Sequence, residues 1–214
     1  MTKYLALIKK EWILSMRQKH MFLSLLLFST LIIMLIYFGV EGLDVKPSSM
    51  VPSVIWLAMV FGGTLQLNRT YDFERDEDVL GGMRLIAGTA TPFFLSKLTI
   101  NLCVLTIIMV FSALIATLLF DYPLTLEAAK IAPALFLGLI GLASVGTTFS
   151  TMVMVHHKRD ILLPTIFYPL IAPLSIAVIK AMFASDASWL KILIAFDVIY
   201  MTASMLVFDK MMES

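Results

Sequence analysis

The chain has 214 residues, 60% of them hydrophobic and only 14% charged, whereas about a quarter of the residues in a soluble domain carry charge. The net charge is +1, and no basic patch interleaved with aromatics points to nucleic acid as a partner. The length accommodates about five to seven spans of ~20 residues with short connections, so no separate catalytic domain fits beside them. The composition is that of an all-α membrane protein.

Residues 1–20 are basic, and an apolar run follows from residue 21 to 40. That run exceeds the apolar region of a secretory signal, and no small-residue cleavage site follows it, so it is expected to be a retained span. Helical spacing over residues 3–19 puts Leu5, Ile8, Trp12 and Met16 on one face, with Lys10 and Arg17 roughly opposite. The pattern predicts a helix lying in the headgroup plane. It is imperfect, because Ile13 and Lys19 fall on the wrong sides, and a plain polar leader anchored by Trp12 is the alternative. The chain thus divides into an interfacial helix, residues 1–20, and a transmembrane domain, residues 21–214.

Six spans are predicted, at about residues 21–40, 51–67, 98–120, 131–155, 161–183 and 189–208. Six spans place both termini on one side. Lys3, Lys9, Lys10, Arg17, Lys19, Arg69, Arg75, Arg84, Lys97, Lys158, Arg159 and Lys210 then fall on that side, against Lys46, Lys130, Lys180 and Lys191 on the other. By the positive-inside rule the termini are expected to be cytoplasmic.

Between the second and third spans lies the most charged stretch, residues 69–92, RTYDFERDEDVLGGMRLIAGTATP. Each charge at a helix centre in the bilayer costs ~2.5–3.5 kcal/mol on insertion scales, so this segment must lie in water or against a protein. Arg69, Asp72, Glu74, Arg75, Asp76, Glu77, Asp78, Met83 and Arg84 are the candidate contacts for a cytoplasmic partner. Val79, Leu80, Met83 and Ile86 have helical spacing, although Gly81 and Gly82 each weaken a helix by roughly 1 kcal/mol. The plainer reading is a solvated connection.

The fourth span carries Ala134, Gly138, Gly141, Ala143, Ser144 and Gly146, a spacing that lets helices approach closely, within the chain or against a second copy. The fifth holds Pro164, Pro169 and Pro173 and is expected to be kinked and packed inside the bundle. Asp197, in the sixth, is an acid deep in an apolar run. It is functional, or a protonated or paired structural acid, or one that lies near the outer interface. His156 and His157 could ligate haem iron, but beside Lys158 and Arg159 an interfacial role is the simpler expectation. Cys103 stands alone, so no internal disulfide or multi-cysteine metal site can form. The chain has no phosphate-binding loop and no catalytic constellation; it is expected not to be an enzyme, and any ATP is used by another subunit.

Two segments carry a resemblance. Residues 55–80, IWLAMVFGGTLQLNRTYDFERDEDVL, resemble the region around the second span of the haem exporter protein B family, at Trp56, Leu67, Asn68, Arg69, Glu74 and Arg75. Residues 159–178, RDILLPTIFYPLIAPLSIAV, are similar to the family's proline-spaced fifth span, at Pro164, Pro169 and Pro173. Gly81 departs from the acid usual in the family after the leucine aligned with Leu80, and Gly88 or a neighbour stands where the family commonly has a proline. The resemblance implies a type-2 ABC exporter permease of the bacterial cytoplasmic membrane, with a cytoplasmic ATPase docked at residues 69–92. It also implies further membrane partners that deliver haem for cytochrome c maturation, haem being a cargo rather than a bound cofactor. A second permease copy is expected to complete the working unit. The alternatives are a permease of the same architecture for another lipophilic cargo, and a scaffold without transport.

Overall fold

A backbone crossing lipid must satisfy its own hydrogen bonds, and helices do so within a single segment. The computed structural model describes residues 2–17, 19–41, 46–70, 90–122, 126–156, 166–184 and 187–213. The described residues are mostly helical: α1 (Thr2–Arg17), α2 (Lys19–Val40), α3 (Val51–Asn68, entered through a 3₁₀ turn at Pro47–Met50), α4 (Ala90–Leu119), α5 (Leu126–His156), α6 (Tyr168–Phe183) and α7 (Ser188–Glu213). Five of these, α2, α3 with its turn, α4, α5 and α7, are long and apolar enough to cross a membrane, while α6 is a shorter apolar helix. The chain is an all-α, multi-pass membrane protein.

The side-chain contacts set the direction of each helix. Gly62 faces Ser29 and Ile108, Gly63 faces Leu105 and Thr70 meets Asn101, so α3 runs against α4; the Tyr37 ring meets Phe120, so α2 runs with α4 and against α3. Trp56 meets Gly138 and Leu67 meets Gly146, so α3 and α5 run together. Val178 meets Gly138 and Leu174 meets Gly141, which reverses α6. Asp197 faces Gly141, and the Ser204 hydroxyl donates to the Ser144 carbonyl at 3.1 Å, which returns α7 to the direction of α5. Helices α2 to α7 therefore alternate in direction. The end of α3, the start of α4 and the ends of α5 and α7 gather at the end of the bundle where α1 lies. At the opposite end α4 stops at Asp121, whose φ of 49° is the left-handed turn that Asp tolerates better than most residues.

Helix α5 lies at the centre, buried at every position from 141 to 150. Lipid tails are as apolar as leucine, so helices in a bilayer associate chiefly through close packing at small residues. A Cβ added at Gly138, Gly141 or Gly146 would lie under 3.0 Å from side chains of α3, α6 or α7. The small-residue face is thus occupied within the chain, and it is not available to a second copy. The outer faces of α2 and α7, with Leu27, Leu35, Phe38, Val198, Ile199 and Leu206 exposed, are apolar surfaces suited to lipid.

Three local features differ from the pattern read in the sequence. First, α4 begins at Ala90 rather than residue 98, which places Lys97 about two turns inside a helix. Second, Pro169 stands in the first turn of α6, where its missing N–H leaves no carbonyl unpaired. Pro173 is the proline inside that helix, both face outward rather than into the bundle, and Pro164 lies outside the described residues. Near the Pro173 break the Tyr200 hydroxyl donates to the Leu170 carbonyl at 2.9 Å. This contact fastens α6 to α7 where a proline weakens the helix. Third, α1 packs on α4, a neighbour its own sequence does not announce. Glu11 is buried and Leu7 and Ile8 pack against the core, while Leu5, Trp12 and Ile13 stay exposed. The side of α1 turned to the bundle carries Glu11, because this acid finds a basic partner inside.

Candidate functional site

Asp72, Glu74, Arg75, Asp76, Glu77, Asp78, Met83 and Arg84 lie outside the described residues, as does the helix expected around Val79 to Ile86. The structure defines where their segment is rooted. Helix α3 closes at Arg69, which is exposed; its N–H bonds back to the carbonyls of Gln66 and Leu67. Thr70 follows, and the chain is described again from Ala90, the start of α4.

Both roots are held by buried polar contacts. The Lys97 ammonium lies 2.7 Å from Glu11 Oε2, with the two side chains 5% and 4% exposed. It also donates to the Thr70 carbonyl at 3.1 Å and sits 5.7 Å from the centre of the Phe93 ring. Lys10 approaches the other Glu11 oxygen at 3.2 Å and lies 5.9 Å from the centre of the same ring. One turn beyond Lys97, the Asn101 carbonyl oxygen accepts from the Thr70 hydroxyl at 3.1 Å, and its amide donates to the Thr147 hydroxyl at 2.9 Å. The Ser150 hydroxyl donates to the carbonyls of both Leu67 and Gly146. Tyr4 is joined to Thr99, hydroxyl to hydroxyl, at 2.8 Å. Because Thr99 already donates to Leu95, Tyr4 is the donor.

The network ties α1, the end of α3, the first turns of α4 and the end of α5 into one polar cluster. Buried polar groups are tolerated when each has a partner, and a charge-assisted pair with further hydrogen bonds is among the stronger contacts. Phe93 and Phe94 pack on Phe208 of α7, with ring centres 6.3 and 5.1 Å apart, so α7 joins the same end. Glu11, Asn101, Thr147 and Ser150 were not singled out in the sequence. Glu11 is the one acid among the first 40 residues, a signal that could have been weighed. Lys97 and Asn101, four apart in an apolar run, were a second.

The second candidate lies deeper. Asp197 is 8% exposed; among the described residues neither carboxyl oxygen makes a well-formed hydrogen bond, and the Gly141 backbone is the polar group turned towards it. Its Oδ1 faces the backbone at Gly141, 2.9 Å from where a Cβ would sit, and Leu174 closes the other side. The six-membered ring of Trp56 lies over Gly138, and its indole N–H has no partner among the described residues. His20 is exposed at the start of α2, His156 ends α5, and His157 lies outside the described residues. Among the described residues no three His, Cys, Asp or Glu side chains gather in a metal-binding group.

An alternating helical bundle with a helix packed against one end, and a charged segment rooted at that end, is the architecture of a multi-pass membrane protein. A search of curated protein sequences found no match. A family model described as CcmB protein matches residues 2–213. The chain belongs to that family, haem exporter protein B, the permease component of an ABC-type haem exporter system in cytochrome c maturation.

Proposed function

We propose that the protein couples ATP hydrolysis in a separate cytoplasmic subunit to haem delivery for cytochrome c assembly, with residues 69–92 as the docking element. The observation that carries this reading is the anchoring of both roots of that segment, at Thr70 and the first turns of α4, by buried polar contacts to the bundle. A partner that pulls on such a segment moves α3, α4 and α5 together rather than a slack loop. The end bearing α1 is cytoplasmic in this reading, supported by the threefold excess of Lys and Arg on that side, and the membrane is the bacterial cytoplasmic one.

The close approaches at Gly138, Gly141 and Gly146 pack α5 tightly on α3, α6 and α7, which supports a cargo path between this permease and a second copy or another permease. The carboxyl oxygens of Asp197, without a well-formed hydrogen bond among the described residues, favour a rearranged state in which they find partners, with the α6–α7 contact beside Pro173 as the part that shifts. The protein's own role is coupling rather than iron ligation. The test is Glu74→Lys. It is expected to release the ATPase or uncouple its hydrolysis while membrane insertion stays intact, because truncating or reversing a buried interfacial charge costs about 2–5 kcal/mol. Normal co-purification with normal coupled activity refutes docking at this segment. Deleting the gene is expected to abolish covalent c-type cytochromes and spare b-type haem proteins.

A further inference from the structure

Helix α1 is joined to the bundle by apolar packing and by polar contacts. It packs on α4, and its polar attachments there are Tyr4 to Thr99, Glu11 to Lys97, and Lys10 beside the Phe93 ring. A buried ion pair seldom adds stability that an apolar pair of similar volume would not supply, since removing two charges from water offsets most of their attraction. What it adds is a defined register. Lys97 carries that register further, because the same ammonium that pairs with Glu11 donates to the Thr70 carbonyl. Thr70 is the last described residue before the charged segment. One nitrogen therefore joins α1, α4 and the root of the segment.

We propose that Glu11 and Lys97 are positioning residues that make α1 part of the coupling apparatus: the Glu11–Lys97–Thr70 contact forces α1, the head of α4 and the root of the charged segment to move as one body. This rests on the docking reading above. Motion of the segment reaches α1, and through its exposed Leu5, Trp12 and Ile13 it reaches the membrane surface. Lys97 touches both the acid and the Thr70 carbonyl, so its loss separates α1 from Thr70 even where packing survives.

The test uses the full complex, purified in mild detergent with its ATPase, and cells assayed for covalent c-type cytochromes. The double variant E11L/K97L replaces the pair with apolar side chains. The exchange E11K/K97E keeps an ion pair between the helices but turns a carboxylate, which cannot donate, toward the Thr70 carbonyl. E11Q keeps the shape and removes the charge. Both double variants are expected to bind the ATPase in wild-type stoichiometry and to melt close to wild type. Permease-dependent modulation of ATP hydrolysis and c-type cytochrome yield are both expected to fall about tenfold, within the usual range of coupling between sites. E11Q is expected to show a smaller loss in the same direction. Bridging positions 4 and 99 with a bifunctional thiol reagent, after Y4C and T99C in a C103A background, is expected to leave wild-type coupling intact, because the two helices already move together.

Wild-type coupling in E11L/K97L or in the exchange variant overturns the proposal, as does loss of coupling in the bridged protein. Failure of all three pair variants to accumulate assigns the pair to folding alone and also overturns it. Failure of the wild-type permease to bind any ATPase refutes the docking reading instead, so the two outcomes are distinguishable.

Discussion

Gly146→Ala adds one methyl group at the tightest point of the bundle. The new Cβ would lie 2.1 Å from Leu67 Cδ1 and 2.9 Å from Cδ2 and Cγ. Carbon atoms rest at about 3.5–4.0 Å, so Leu67 would have to retreat by roughly 1.5 Å. Leu67 is fully buried, and its carbonyl accepts a hydrogen bond from Ser150 one turn along α5. The leucine cannot swing into open space, and α3 cannot back away without breaking that bond. Overpacking of this kind costs about 1–3 kcal/mol. For a chain of this length each kcal/mol lowers the melting temperature by about 2–4 °C. The assay is thermal unfolding of the detergent-purified protein in a double-mutant cycle with Leu67→Ala. Leu67→Ala alone loses packing, but it makes room for the methyl group at 146. The double variant is therefore expected to be more stable than the sum of the singles predicts, by about 0.5–3 kcal/mol. A Gly146→Ala protein that melts with wild type refutes the reasoning, and so does strict additivity. Because Leu67 precedes Asn68, Arg69 and Thr70, the substitution is also expected to weaken coupling to the ATPase.

Tyr200→Phe removes the hydroxyl that donates to the Leu170 carbonyl. A loss of about 1 kcal/mol is expected, with faster hydrogen exchange in the first turns of α6, and an unchanged melting temperature argues against the α6–α7 fastening. Changing His20, His156 and His157 together to Ala is expected to leave most c-type cytochrome assembly in place; its loss, in a protein still stable in the membrane, would assign iron ligation to the histidines. In a C103A background, Leu126→Cys at the start of α5 is expected to react with a membrane-impermeant thiol reagent from outside the cytoplasm. Labelling from the cytoplasm alone reverses the assigned orientation.

The class of this protein was legible from its residues because the cost of burying backbone and charge in lipid is a local quantity. Apolar runs of sufficient length must be helices, the charged stretch at residues 69–92 cannot be inside the bilayer, and the resemblance at residues 55–80 and 159–178 led to the family that the whole-chain match established. Helix pairing was not legible. Small residues on α5 announce close approach without naming the neighbour, and only the folded chain sets Trp56 over Gly138, Leu67 against Gly146 and Asp197 beside Gly141. The polar cluster was hidden for the same reason. Glu11 and Lys97 are 86 positions apart in sequence (97 − 11), and Asn101 and Thr147 are 46 apart. Each looks like an isolated polar residue in or beside an apolar run. Periodicity assigned Trp12 and Ile8 to one face of α1, and it could not foresee that a buried lysine on another helix would draw Glu11 inward and turn Trp12 out. Hydropathy along the chain determines which segments enter the membrane. Which polar groups meet there depends on helix packing, since a buried charge is tolerated only where another helix supplies its partner.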